Sequence, residues 1–360
     1  MSVPSPRIGP DEQRTVTKVF DTTTDCKLLF SGSTKNESAL ILLRSKLAAI
    51  SHRIGIPDLK RENMLLVASE LVQNNIKHAQ GSGLIQVWMQ PGPTIDILAL
   101  DYGPGIADLA RAEEDGYSTL RTFGKGLGAI RRLSDESYIY TQPEHYGQIK
   151  KWSGTVFLAR FTLGSHKDFI SNKIGLFSRS LSNERYNGDR IYWQKNANSL
   201  RWLHMDGLGH GEEALNATAN LATHLAHNDK LETLLRNVDR QLIKTRGAVG
   251  IIGEINFVQR EVQLLGVGDM HAHIYDHDQM QLIAFAPGIL GKEHRSTSPH
   301  HSTLGKRAVV VTASDGIRRN WDTQNFTGLF SHHPQLIAYT LGNIMGRISD
   351  DQSIFVSLIA

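Results

Sequence analysis

From about residue 173 onward the chain is a succession of short apolar runs of β type: IGLFSRSL, DRIYWQK, SLRWLHMD, AVGIIGEINFV, VQLLGVG, QLIAFAP, RAVVVTA and SIFVSLIA. No other feature constrains the fold as much. Strands this short and this many, parted by turn residues, suggest two sheets packed face to face. Two long amphipathic stretches, Glu212–His227 and Lys230–Lys244, interrupt them. The second half is therefore expected to be a β-sandwich with helices outside.

The first half has another period. Ala39–Arg53 and Arg61–His78 place apolar groups at helical spacing on either side of Pro57. GLIQVWMQ and TIDILALDYG read as strands around Pro91-Gly92-Pro93, a turn that cannot continue a ladder, so a hairpin follows. A glycine-rich loop, a short helix and strands near Ser137–Thr141 and Gly154–Phe161 complete a unit expected to set helices on one face of a mixed sheet. The class is α+β. Residues 1–16, with three prolines, read as a flexible tail, 17–164 as the first domain, 165–172 as a polar linker and 173–360 as the second domain. At 360 residues and 40% hydrophobic content, each half can build a core.

Composition excludes several classes. The 39 basic and 36 acidic residues are scattered, without the Lys/Arg block that tracks a phosphate backbone, so no nucleic-acid partner is expected. The one cysteine, Cys26, makes neither an internal disulfide nor a thiolate metal site, and no run is apolar enough to span a membrane. The opening MSVPSPRIGPDEQ lacks the apolar core of a signal peptide, which with the cysteine usage suggests a cytoplasmic protein.

Three segments of the first half carry chemistry. In SELVQNNIKHA, Glu70 and Asn74 lie four residues apart, on one helix face and about 6 Å apart along the axis. A carboxylate beside an amide oxygen suits a magnesium–phosphate site. Asp101 follows an apolar strand and can accept from an exocyclic amino group, while Gly103 and Gly105 let backbone approach a ligand. In FGKGLGAIRRL, Gly124, Gly126 and Gly128 alternate around Lys125 before a helix, offering backbone N–H groups to phosphates. Each alone has an ordinary reading as a solvated face, a turn or a loop, and there is no Walker sequence.

In this order the segments resemble the GHKL, or Bergerat-type, ATPase and kinase superfamily, with Glu70 and Asn74 in its first box, Asp101, Gly103 and Gly105 in its second, Gly124, Gly126 and Gly128 in its lid and Gly154-Thr155 in its last. The brief lid looks most like the serine kinases of bacterial partner-switching systems. The resemblance covers roughly residues 20–162. It implies that Asn74 holds Mg²⁺ against ATP phosphates, that Asp101 receives the adenine amino group with Thr155 nearby, that the glycine loop and Lys125 wrap the phosphates, and that Glu70 is the base toward a protein hydroxyl. His78 and Lys77 read as surface residues or phosphate neighbours.

In the second half Asp189, Asp206, Asp315 and Asp350 sit where strands end, and hard dications want such oxygen ligands. DGLGHG and SDG resemble the metal-dependent 2C-type Ser/Thr phosphatases of the bacterial sporulation and stress branch. That resemblance implies Asp206 and the Gly207 carbonyl bridging two Mg²⁺ or Mn²⁺ ions, with Asp189, Asp315 and Asp350 completing the shells. Gly188 stands where eukaryotic relatives have a glutamate. His210 is either an acid for the leaving group or a cap of the next helix, and Asp269 is a further ligand candidate. MHAHIYDHD, with His271, His273 and Tyr275 on one strand face, invites a zinc reading but is expected to be an exposed hairpin; His300-His301 and His332-His333 are expected at the surface.

The joint expectation is a Bergerat-type α/β sandwich followed by a 2C-type β-sandwich flanked by helices. Its substrates would be phosphorylatable antagonist-type proteins of the sulphate-transporter and anti-sigma kind, phosphorylated by one site and dephosphorylated by the other. A homodimer is left open. The alternatives are a phosphatase with a non-catalytic ATP-sensing domain and a non-enzymatic module that binds a sigma factor or its antagonist.

Overall fold

A computed structural model of the protein describes residues 18–22, 26–35, 38–92, 94–113, 126–144, 152–163, 173–226 and 229–359. In chain order the first part runs β1 (Val19–Asp21), β2 (Lys27–Ser33), α1 (Ser38–Ile54), α2 (Asp58–Ala79), β3 (Gly83–Gln90), β4 (Thr94–Asp101), α3 (Leu109–Glu113), α4 (Gly126–Leu133), β5 (Glu136–Gln142) and β6 (Gly154–Thr162). The second runs β7 (Ile174–Arg179), β8 (Asp189–Lys195), β9 (Ser199–Gly207), α5 (Glu212–Thr218), α6 (Ala222–Ala226), α7 (Leu231–Leu242), β10 (Ala248–Asn256), β11 (Glu261–Val267), β12 (His271–Asp276), β13 (Gln279–Ala284), β14 (His300–Thr303), β15 (Val309–Ala313), α8 (Pro334–Met345) and β16 (Gln352–Leu358).

The first unit is a five-stranded sheet in the order β2-β3-β4-β6-β5. Every pairing in it is antiparallel, not mixed as expected. The helical crossover does carry β4 to a parallel β5, but β6 inserts between them, so no parallel ladder forms. Leu43 and Leu47 of α1, Met64, Val67 and Val72 of α2 and Ile130 of α4 are fully buried against Ile85, Val87, Ile95 and Ile97. Each such side chain contributes about 1.5–3 kcal/mol through burial. Pro57 precedes α2, and at its other end Gln80 and Gly81 turn left-handed (φ 52° and 71°), with Gly81 N donating to Asn75 O at 3.0 Å.

The second unit is a sandwich of a six-stranded sheet, β1-β8-β9-β10-β11-β14, and a five-stranded one, β13-β12-β15-β16-β7. Helices α5, α6 and α7 cover the outside of the first sheet through Ala217, Leu225, Leu234 and Val238. The stretch expected as one helix over Glu212–His227 is two, because Ala219 is extended and Asn220 takes φ 60° between them.

The two units share a core. All of β4 is buried, and the sheet face turned away from α1 and α2 brings Trp88, Leu98, Leu100 and Leu158 into one cluster with Phe177 and Tyr339. Helix α8 lies in that seam, buried from Pro334 to Gly342. The chain start also crosses over. Residues 19–21, which the sequence places in the first domain, extend the second unit's sheet, Phe20 pairing with Trp193 in register and stacking on it at 5.2 Å.

Candidate nucleotide and metal sites

Around Asp101 the first unit closes tightly. Asp101 is 8% exposed, and its Oδ1 accepts from Gly103 N at 2.9 Å and Thr155 N at 3.2 Å. Burial pushes its carboxyl above the ordinary value, against the pull of these two amides and the His78 charge. Oδ2 makes no hydrogen bond among the described residues, so an acceptor remains for a ligand donor. The glycines here are steric necessities: a Cβ on Gly154 (φ +146°) would sit 2.2 Å from Asp101 O, and one on Gly105 (φ +70°) 2.4 Å from Gln142 O.

Glu70 and Asn74 both lie half-buried on α2, one turn apart. The adjacent Asn75 is buried instead, its Nδ2 donating to Thr34 Oγ1 and to Leu100 O, each at 3.3 Å, which ties α2 to the residue before Asp101. Thr155 has its Oγ1 3.3 Å from Thr141 Oγ1. Gly126 and Gly128 open α4, whereas Gly124 and Lys125 lie outside the described residues. Lys77 and His78 are exposed.

The aspartates of the second unit gather at one end of the sandwich, two from each sheet. Asp189 opens β8 and Asp206 nearly closes β9, and the two are direct cross-strand partners. Asp315 follows β15 and Asp350 precedes β16, which are themselves paired. Burial first, then the charges of Asp189, Asp315 and Asp350, raise the Asp206 carboxyl well above the ordinary range; Asp189 and Asp315 are raised in the same way. Like charges so placed resist ionising together unless a cation joins them.

The donor set fits divalent cations. Asp189 Oδ1 is buried without a hydrogen-bond partner. Among the described residues no three His, Cys, Asp or Glu side chains stand close enough to hold an ion by themselves. Gly207 is pinned under α5, where a Cβ would lie 2.3 Å from Ala214 O, and its N donates to Gly188 O at 3.2 Å.

Several side chains went unnoticed in the sequence. Asp351, 3% exposed, accepts from Leu181 N at 2.7 Å through Oδ1 and from Gly188 N at 2.6 Å through Oδ2, fixing the approach to Asp189. The Asp-Asp doublet was its signal. His210 is exposed and does not cap α5, whose start at Gly211 has no side-chain cap, though its charge reaches Asp351. Asp269 is exposed and adds to the repulsion at Asp315.

The histidine expectations need correction. His271 and His273 are each 2% exposed; His271 Nε2 lies 3.1 Å from Ile317 O and His273 stacks on Trp321 at 3.8 Å. They are buried because the segment after β15, through Ile317, Trp321 and Phe330, covers this face of β12. His332 and His333 are half-buried at the seam against Tyr140 and Tyr138. His300 and His301 do lie on the edge strand β14.

The first unit is thus a helix-backed antiparallel sheet, with Glu70 and Asn74 on one helix and the buried Asp101 at the end of β4. Residues 33–149 match the histidine kinase-like ATPase domain family. Over 90 residues, 24% of this chain and 67% of the relative, the sequence is 34% identical to the serine/threonine-protein kinase RsbT of Bacillus subtilis strain 168. Through its first half the chain belongs to this family. Among solved structures, RsbX in complex with magnesium is 18% identical, with a TM-score of 0.46 over 53% of this chain and 98% of that one. The phosphatase domain of SpoIIE from Bacillus subtilis, with a fragment of its regulatory domain, is 14% identical, with a TM-score of 0.42 over 89% and 94%. No helix among the described residues is long and apolar enough to cross a membrane.

Proposed function

We propose that the protein is a two-headed regulator of a partner-switching pathway: an ATP-dependent Ser/Thr kinase in its first half and a divalent-metal Ser/Thr phosphatase in its second, both acting on phosphorylatable antagonist-type proteins. The observation that carries the reading is the gathering of Asp189, Asp206, Asp315 and Asp350 at one end of the sandwich, in the same chain as an RsbT-like domain.

In the first half Asp101 Oδ2 would receive the adenine amino group, Asn74 and the α4 N-terminus would hold Mg²⁺ and the phosphates, and Glu70 would take the proton of the incoming hydroxyl. In the second half Asp189, Asp206, Asp315, Asp350 and the Gly207 carbonyl would hold Mg²⁺ or Mn²⁺. When bound, such ions supply a water acidic enough to attack a phosphoester in line. Asp351 keeps Gly188 and Leu181 in place around Asp189.

Purified protein, ATP and candidate antagonist proteins test both halves. Glu70→Ala should abolish phosphate incorporation and Asp206→Ala its removal. A second reading is favoured by Trp152, which donates to Asp101 O at 3.2 Å and packs on Phe326 of the second unit: the ATP site acts as a sensor for the phosphatase. It prevails if ATP binds and no substrate is labelled even in the Asp206→Ala protein.

A further inference from the structure

Inside the sandwich a line of polar side chains runs from one sheet to the other. Ser353 Oγ donates to Asp189 Oδ2 at 2.7 Å, His204 Nε2 lies 2.7 Å from Ser353 Oγ, and His204 Nδ1 lies 2.9 Å from Thr312 Oγ1. His204, Thr312 and Ser353 are each 0% exposed and Asp189 2%. The surroundings are apolar, with Trp202 stacked on Phe355 at 5.0 Å. Burying this many polar groups is costly unless each is partnered. Each is, except Asp189 Oδ1; the buried Ser314, whose Oγ accepts from Ser353 N at 3.0 Å, also draws the Asp189 carboxyl down beside Ser353.

The members resemble a nucleophile, base and acid set, but the order forbids that use. Ser353 stands between the carboxylate and the imidazole, and no solvent reaches it. The hydrogen counts fix what the line does instead. Ser353 has one hydroxyl proton. If Asp189 is ionised, that proton goes to Oδ2, so Ser353 must accept from His204 Nε2–H. The neutral ring then has a bare Nδ1, which accepts from the Thr312 hydroxyl. The whole line is ordered in one direction, and it ends by occupying Oδ2 and leaving Oδ1 open.

We propose that His204 and Ser353 are positioning residues of the metal site, locking the Asp189 carboxylate so that Oδ1 alone is presented to a divalent cation. This rests on the metal reading of the aspartate cluster given above. Outer partners of this kind commonly change metal affinity by about 10–100-fold when removed. Ser353 comes from β16 and Thr312 from β15, the strands that Asp350 precedes and Asp315 follows, so the same line ties the two aspartate pairs together.

The test measures Mn²⁺ binding to the full chain by calorimetry, with ATP binding by the first unit as the control for folding. His204→Phe and Ser353→Ala should weaken Mn²⁺ by about 10–100-fold while ATP binding stays unchanged, and Ser353→Thr should restore it to within about threefold. Should the variants fail to fold, ¹⁵N spectra of the Mg²⁺-loaded wild-type protein decide, with His204 located by its contacts to Thr312 and Ser353. An Nε2–H tautomer supports the assignment, and an Nδ1–H tautomer overturns it. Folded variants that bind Mn²⁺ within twofold of wild type also overturn it. If the wild-type protein itself takes up no Mn²⁺, it is the metal reading that fails.

Discussion

Tyr339 of α8 donates its hydroxyl to Asp96 Oδ2 of β4 at 3.0 Å, across the seam between the two units. Asp96 is already the cross-strand partner of Arg160, whose Nε and Nη2 reach its two oxygens at 2.8 Å each, and Gln90 Nε2 donates to the Tyr339 oxygen at 2.7 Å. Asp96 is 0% exposed and Arg160 3%. An ion pair this deep is a poor source of stability by itself, but breaking it strands a charge. Asp96→Ala should therefore cost about 3–5 kcal/mol. Tyr339→Phe, which removes one donor and leaves Gln90 unpaired, should cost about 1–3 kcal/mol. Urea unfolding checks both, and the double variant should cost less than the sum because the two share one network.

Asp101→Asn separates fold from ligand recognition. The amide oxygen can still accept from Gly103 N and Thr155 N, so melting should change little. The amide nitrogen, however, offers a donor where Asp101 Oδ2 offered an acceptor. An adenine amino group then meets another donor, and ATP affinity should fall by about 1–3 kcal/mol, on the order of ten- to a hundredfold. Equilibrium binding of ATP and GTP reads the change; unaltered ATP affinity would remove Asp101 from the adenine contact.

Where an element is marked by its own residues, as by the β-type run DRIYWQK or the break at Pro57, the sequence was a sufficient guide to strand and helix. It failed where the partner is remote. The alternation of Trp88, Leu98 and Leu100 tells of a second apolar face on β3 and β4, but nothing local says that α8 covers it. Val19–Asp21 is a plain triplet until it meets residues 192–194. In the sites, the Asn74-Asn75 doublet shows the same limit, since only the register of α2 decides which amide meets a ligand and which is buried. His204 and Ser353 read as unremarkable strand residues because their meaning lies in the opposite sheet.

Acid should loosen the seam through His333. Burial, with the Arg160 charge adding to it, pushes this imidazole down to about 3, while its Nδ1 accepts from Gln335 N at 3.1 Å and its ring stacks on Tyr138 at 4.3 Å. The unfolded chain takes up a proton near pH 6.5, the folded one only near pH 3. The stability His333 contributes is thus complete above about pH 6.5 and is lost as pH falls through that window. His333→Asn keeps an acceptor for the helix start and cannot titrate. Its melting temperature should fall less steeply between pH 6.5 and 4 than that of wild type. Some slope should persist, because burial also lowers His271 to about 4 and His273 to about 3. Parallel curves for the two proteins would clear His333 of the effect.

The shared core makes a stronger demand on the unfolding of the whole chain. Trp152 donates to Asp101 O at 3.2 Å, stacks on Tyr140 at 5.8 Å and meets Phe326 of the second unit at 6.4 Å. Gln142 Nε2 donates to Asn325 O at 3.0 Å, and its Oε1 accepts from Thr327 N at 3.2 Å. With both units in one cluster, separating them exposes Trp88, Tyr339 and Phe177 together, so neither half should melt alone. Calorimetry should show one transition. ADP with Mg²⁺ at a hundredfold excess over its dissociation constant should add about 2.7 kcal/mol and move that transition as a unit, although the proposed nucleotide site lies in the first half. Trp152→Ala removes the tie at Asp101 and the packing on Phe326 at once, so it should lower the transition, weaken ADP binding and shrink the shift. Two resolved transitions in the wild-type protein, with ADP moving one of them, would show that the seam does not couple the halves.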